Sequence, residues 1–211
     1  MSWLCESPLH VAKARRSRLR GGGGAIHAQD GSLKVVNARF FNNMCDDLGS
    51  DVGGDAIRKL DYLIASGAGP ARPVWIVNST FGGDTGFGNS CANGGALSSI
   101  GVSWNILNSM FSYNTAVGHG ANRGQGGNGG AIYNDGNEIV LDVTSSLLEN
   151  NVANEGGSAI FFVSNNMSGS ITIKDSITRG NPRGTFETPG LPGFYVIAKQ
   201  PAQVINSQIE R

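Results

Sequence analysis

Four aspartates crowd one short stretch, Asp46, Asp47, Asp51 and Asp55, and a histidine flanked by glycines, Gly118-His119-Gly120, lies further on. Carboxylates at that density could hold a Ca²⁺ ion through oxygen ligands or supply one member of an acid–base pair. The spacing does not assemble a site. Asp47 and His119 stand 72 residues apart, and no Lys or Arg is placed to act as a base beside the acidic loop. A cluster of loop carboxylates is ordinarily just solvated, and His27 and His119 read as turn residues of a repeat. Cysteines number three, Cys5, Cys45 and Cys91, in no zinc-binding pattern. Cys45 and Cys91 follow successive repeats, so a bridge between them is open, although free thiols are the simpler reading. No catalytic, cofactor-binding or metal-binding set is assigned from the sequence.

Any chemistry must be carried by a repeating frame. A small polar anchor recurs at Asn37, Asn78, Asn108, Ser145, Asp175 and Asn206, with intervals of 41, 30, 37, 30 and 31 residues. Two positions before it stand Val35, Ile76, Ile106, Val143, Ile173 and Val204, all β-branched. Four before it stand Leu33, Val74, Trp104, Leu141, Ile171 and Ala202. Three after it stand Phe40, Phe81, Phe111, Leu148, Thr178 and Ile209. A second phrase runs between the anchors: Gly23-Gly24-Ala25-Ile26, Gly54-Asp55-Ala56-Ile57, Gly94-Gly95-Ala96-Leu97, Gly129-Gly130-Ala131-Ile132 and Gly157-Ser158-Ala159-Ile160. A period near 30 residues with variable insertions is that of a solenoid.

The columns two and four before the anchor alternate with Lys34, Trp75, Asn105, Asp142, Thr172 and Gln203, a period of two. Branched and aromatic side chains suit a pleated surface better than a helix. The 32 Gly and 20 Asn among 211 residues are turn formers in numbers that long helices would not tolerate. Three short strands per repeat, stacked at ~4.8 Å, pair each strand in parallel with its equivalents above and below. The predicted fold is all-β, a right-handed parallel β-helix of about six rungs spanning residues 21–211 and incomplete at its C-terminus. The anchor Asn column is expected to form a hydrogen-bonded ladder inside the coil. Asn43, Asp84, Asn114, Asn151 and Asn181 form a second ladder or an outer turn.

Lys plus Arg equal Asp plus Glu at 16 each. The first twenty residues carry +4, however, which leaves the repeats at −4. A neutral-to-acidic coil offers no continuous basic face for nucleic acid. Residues 1–20 are expected to be a basic tail or a capping segment, with a short helix from His10 to Leu19 as one form. The longest apolar run, Ala159 to Val163, cannot cross a bilayer, and Glu6, Pro8 and His10 interrupt any secretion-signal core. Open strand edges after Asn206 predict self-association through the C-terminal end.

The repeated Gly-Gly-Ala-Ile phrase, with Phe40/Asn43 and Phe111/Asn114 as Phe-x-x-Asn motifs, resembles the polymorphic outer membrane proteins. Their passenger domains are parallel β-helices of the pectin-lyase-like kind. The resemblance covers residues 21–211 and weakens at Phe81/Asp84, Leu148/Asn151 and Thr178/Asn181. It implies a secreted or outer-membrane-associated surface protein, non-enzymatic, that binds or spaces. Its partner would be a host or surface glycan, or another protein, held by the insertions at 58–73 and 117–128. Gly118-His119-Gly120 and Cys45-Asp46-Asp47 also resemble polygalacturonase motifs, and the acidic loop resembles a pectate-lyase Ca²⁺ site. A carbohydrate-active β-helix is therefore the alternative, without the companion Asn-Thr-Asp and Arg-x-Lys motifs.

Overall fold

The computed structural model describes residues 10–12, 23–45, 53–61, 72–118 and 127–211, of which 10–12 by backbone alone. Strand β1 (His10–Ala12) comes first, and the first full rung carries β2 (Ile26–Gln29), β3 (Lys34–Val36) and β4 (Ala38–Phe40). The second carries β5 (Ile57–Leu60), β6 (Val74–Val77), β7 (Thr80–Phe81) and β8 (Ser90–Cys91). In the third lie β9 (Leu97–Ile100), β10 (Trp104–Leu107), β11 (Met110–Ser112) and β12 (Thr115–Ala116). The fourth holds β13 (Ile132–Gly136), β14 (Val140–Thr144), β15 (Leu147–Glu149) and β16 (Val152–Ala153). Next come β17 (Ile160–Ser164), β18 (Ser170–Lys174) and β19 (Ile177–Arg179). The sixth has β20 (Phe194–Ile197), β21 (Gln203–Ile205) and β22 (Gln208–Ile209).

Each strand pairs in parallel with its equivalents one rung away. The first sheet runs β2-β5-β9-β13-β17-β20 and the second β3-β6-β10-β14-β18-β21. The third runs β1-β4-β7-β11-β15-β19-β22, and a short fourth is β8-β12-β16. The chain is a parallel β-helix. Its register is the one the columns require, with Trp104 opposite Val74 and Leu141, and Ile106 opposite Ile76 and Val143. These side chains are buried, whereas Trp75 and Asn105 between them face outward. Phe40, Phe81 and Phe111 stack face to face through the interior at 4.8 and 4.6 Å. Such ring stacks add to the burial of their apolar area.

At the N-terminal end, His10–Ala12 is strand where a helix was one expectation, and it adds to the edge of β4. An edge strand leaves a row of unpaired N–H and C=O groups, which a further parallel strand satisfies and a helix would not. The rest of the segment to Leu19 lies outside the described residues.

The anchor column is on the outside, which corrects the expected inner ladder. All six anchors adopt positive φ, from 44° at Asn108 to 52° at Asn37, and all six are exposed. Asn and Asp tolerate this left-handed conformation better than other L residues, and it turns the chain from the second sheet into the third. The preference is for a backbone angle, not for an inward amide.

The inner ladder is the other column, with one member exchanged: Asn43, Asn89, Asn114, Asn151 and Asn181. Asp84 is exposed, because five extra residues after Phe81 move the equivalent position to Asn89. Side-chain amides donate rung to rung, Asn43 to Asn89 at 2.7 Å, Asn89 to Asn114 at 2.8 Å, Asn114 to Asn151 at 2.9 Å and Asn151 to Asn181 at 3.1 Å. Each carbonyl oxygen also accepts the backbone N–H of the preceding Asn, and the second amide proton reaches a backbone carbonyl such as Phe81 or Phe111.

A serine ladder runs parallel to it. Ser79, Ser109, Ser146, Ser176 and Ser207 each accept the backbone N–H of the preceding rung's residue, at 3.0–3.2 Å. Each donates to the carbonyl two positions earlier in its own rung. A third polar set lies under the first sheet, where the Trp104 indole N–H donates to Ser99 at 2.7 Å and Ser99 donates to Asn134 at 3.0 Å.

Candidate functional site

One stretch of open space on this coil lies along the anchor turns. A groove of about 480 Å³ crosses four rungs, floored by Asn78, Asn108, Ser145 and Asp175 and walled by Thr80, Met110, Leu147 and Ile177. The floor exists because the left-handed turn points the anchor side chains outward. The wall exists because the outer face of the third sheet carries Met110, Leu147 and Ile177 in register. Asn108 donates to Asn78 at 2.8 Å and Asn206 to Asp175 at 2.7 Å, and Ser145 lies between these two pairs. Arg179 at the rim is paired with Glu149 at 2.9 Å, so the groove carries little net charge. An open trough with hydrogen-bonding groups on one side and apolar ones on the other suits an extended, weakly charged ligand.

The other conspicuous outer surface offers no such platform. Tyr133, Phe161 and Tyr195 stack along the first sheet at 5.0 and 5.1 Å. Their ring faces are spent on each other, which leaves mainly edges for a sugar. His27 and Arg58 continue this column. The His27 pKa is lowered, first by burial and then by the neighbouring Arg58 charge.

Of the acidic cluster, Asp46, Asp47 and Asp51 lie outside the described residues, as does His119. Asp55 is the member of the cluster that is described. It is fully buried, at the position that Gly24, Gly95, Gly130 and Ser158 hold in other rungs. That column is tight: a Cβ at Gly95 would stand 2.5 Å from the carbonyl oxygens of Gly130 and Thr115. Asp55 instead points toward Cys45 and Cys91, and the candidate ligand atoms of the three lie within 4.8 Å of one another. Among the described residues this is the one place where three such side chains converge.

Cys45 and Cys91 form a disulfide, with Cα atoms 4.9 Å apart, which overturns the free-thiol reading. Parallel stacking is the cause. The Cys45 N–H donates to the Ser90 carbonyl at 3.1 Å, and Met44 bridges to Ser90, so the two cysteines face each other across adjacent rungs. Their places after successive repeats left this bridge open in the sequence, but the 46-residue separation, which includes an insertion, did not decide it. Among the described residues, neither oxygen of Asp55 has a hydrogen-bond partner. Burial raises its pKa to about 8, opposed only by the nearby Ser90 N–H, whose own bond goes to the Asn43 carbonyl.

A second buried charge, Lys59, occupies the inner column of β5 and donates to the Leu60 carbonyl at 3.0 Å. Burial lowers its pKa, against the raising influence of Asp61 and Asp30. It faces the interior, away from any approach by a substrate.

Of the insertions named as binding loops, residues 58–60 belong to β5 and 62–71 lie outside the described residues. Of 117–128, only 117–118 and 127–128 are described. Comparison with protein-family models, curated protein sequences and solved structures finds no match to this chain.

Proposed function

We propose that this protein is a non-enzymatic surface or secreted β-helix, of the polymorphic outer membrane protein type, that binds an extended glycan along its anchor-turn groove. The observation that carries the reading is the groove itself. It repeats one polar floor position per rung, and an apolar wall position in three of its four rungs, at ~4.8 Å intervals. The buried ionisable groups among the described residues, Asp55, Lys59 and Asp61, do not line it. The Cys45–Cys91 disulfide supports an oxidising, extracellular setting.

The test is a glycan array probed with the wild type and with Ser145→Arg, which fills the groove floor from an exposed turn. Retention of one class of neutral or weakly charged glycan by the wild type, lost in the variant, is expected. Equal binding by both proteins, or no binding at all, sinks the reading. Incubation with pectins, alginate and glycosaminoglycans, with and without Ca²⁺, tests the alternative: turnover abolished by Asp46→Ala or Asp47→Ala would make the protein an enzyme.

A further inference from the structure

Asp55 breaks the pattern of its column and brings an ionisable group into the wall of the coil. Four other rungs place Gly or Ser in that column, and Ser158 there is fully satisfied, accepting the Ala153 N–H and donating to the Pro182 carbonyl. Asp55 has no such partner among the described residues, and an unpaired buried carboxyl weakens the fold. What it faces is a disulfide of unequal halves. Cys45 is partly exposed, whereas Cys91 is fully buried.

We propose that Cys45–Cys91 is a thiol–disulfide exchange site, attacked at Cys45 by an external dithiol and protonated at Cys91 by Asp55. The attacking thiolate bonds to Cys45 Sγ, the Cys45–Cys91 bond breaks, and its electron pair leaves on Cys91 Sγ. In this buried place a thiolate is poorly solvated, so a proton delivered at the moment of cleavage favours departure. Asp55 gives that proton and becomes a carboxylate. The reductant's second thiol then attacks its own sulfur in the mixed disulfide, releasing Cys45 as a thiolate that takes up a proton. Asp55 recovers its proton from solvent. The dithiol leaves as a disulfide and the protein holds two thiols. Run backwards, the same carboxylate accepts the Cys91 proton.

The groups facing Asp55 are Cys45, which follows β4, and Cys91 in β8; among the described residues no charged side chain acts on it. With a pKa of about 8 the carboxyl is still protonated at neutral pH and able to donate. The dependence on pH follows. As pH rises through that value the donor is lost, even as the attacking thiolate becomes more abundant.

The experiment measures reduction of the folded protein by dithiothreitol from pH 6 to 10, for the wild type and Asp55→Asn. After correction for thiolate fraction, the wild-type rate constant should fall through about pH 8. Asp55→Asn should be about 100-fold slower at pH 6–7 and converge with the wild type above pH 9, a general-acid effect at the low end of its range. A corrected wild-type profile that is flat, or a variant reduced as fast at every pH, overturns the proposal. The direction of attack is read separately by exposing Cys91→Ser and Cys45→Ser to oxidised glutathione. Mass spectrometry should find rapid adduct formation on Cys45 and slow formation on Cys91; faster reaction at Cys91 overturns the assignment.

Discussion

At the scale of single residues, the same residue type does two unlike jobs in this coil. Asn114 sits in the inner ladder, where its side chain makes contacts in both neighbouring rungs. Asn108 sits outside, chosen for a backbone angle of 44°. Asn114→Ala removes one link and strands the buried amides of Asn89 and Asn151, a loss of about 1–3 kcal/mol. Asn108→Ala loses one exposed hydrogen bond and strains the left-handed turn, about 1 kcal/mol. Denaturant midpoints should rank them in that order. Asp55 makes an opposite prediction. Its folded pKa of about 8 lies above the unfolded value near 4, so both states are protonated below pH ~4. Between ~4 and ~8 only the unfolded state ionises, and stability falls as pH rises, levelling off above ~8. Asp55→Asn should therefore stabilise the fold, with a gain that grows across that window to on the order of 2–4 kcal/mol. Thermal melts across pH check it; a gain that shrinks from pH 5 to pH 8 would show that the carboxylate has a partner in the fold.

At the scale of elements, strands of two to five residues are too short to persist alone, and each is held by its neighbours in register. β10 shows how sharply the two faces differ. Ile106 is enclosed by Ile76 and Val143, while Asn105 lies between the outward Trp75 and Asp142. Ile106→Asp places an unpaired charge between rungs and should abolish folding or cost more than about 4 kcal/mol. Asn105→Asp sets a carboxylate opposite Asp142 on the outer face and should cost no more than about 1 kcal/mol. Circular dichroism melts of the two, side by side, test the register of the whole second sheet.

At the scale of the molecule, the coil is a one-dimensional stack in which each rung reads only its neighbours. The Cys45–Cys91 disulfide ties the first described rung to the second across a 46-residue separation. Opening it returns loop entropy to the unfolded chain, so Cys45→Ser should lower stability by about 2–4 kcal/mol. Because coupling is local, the loss should fall on the early rungs: hydrogen exchange should quicken in β2, β5 and β9 and stay near wild type in β17 and β18. Uniform loosening of all six rungs would show that the stack unfolds as a single unit.

The repeat columns determined the architecture, the parallel register and the inward face of nearly every strand. That much is legible because burial between stacked pleats demands apolar or β-branched side chains at a fixed period, as at Val74, Trp104 and Leu141. The site was not legible. A recurrent Asn looks alike whether selected for a left-handed turn or for an inner amide, so Asn78 and Asn108 were placed on the wrong side of the wall. Asn89 was hidden by a five-residue insertion that shifts the phase of its rung. The groove and the Asp55–disulfide contact are products of stacking. They arise where loops far apart in the chain are brought one strand spacing apart, a distance the sequence does not record.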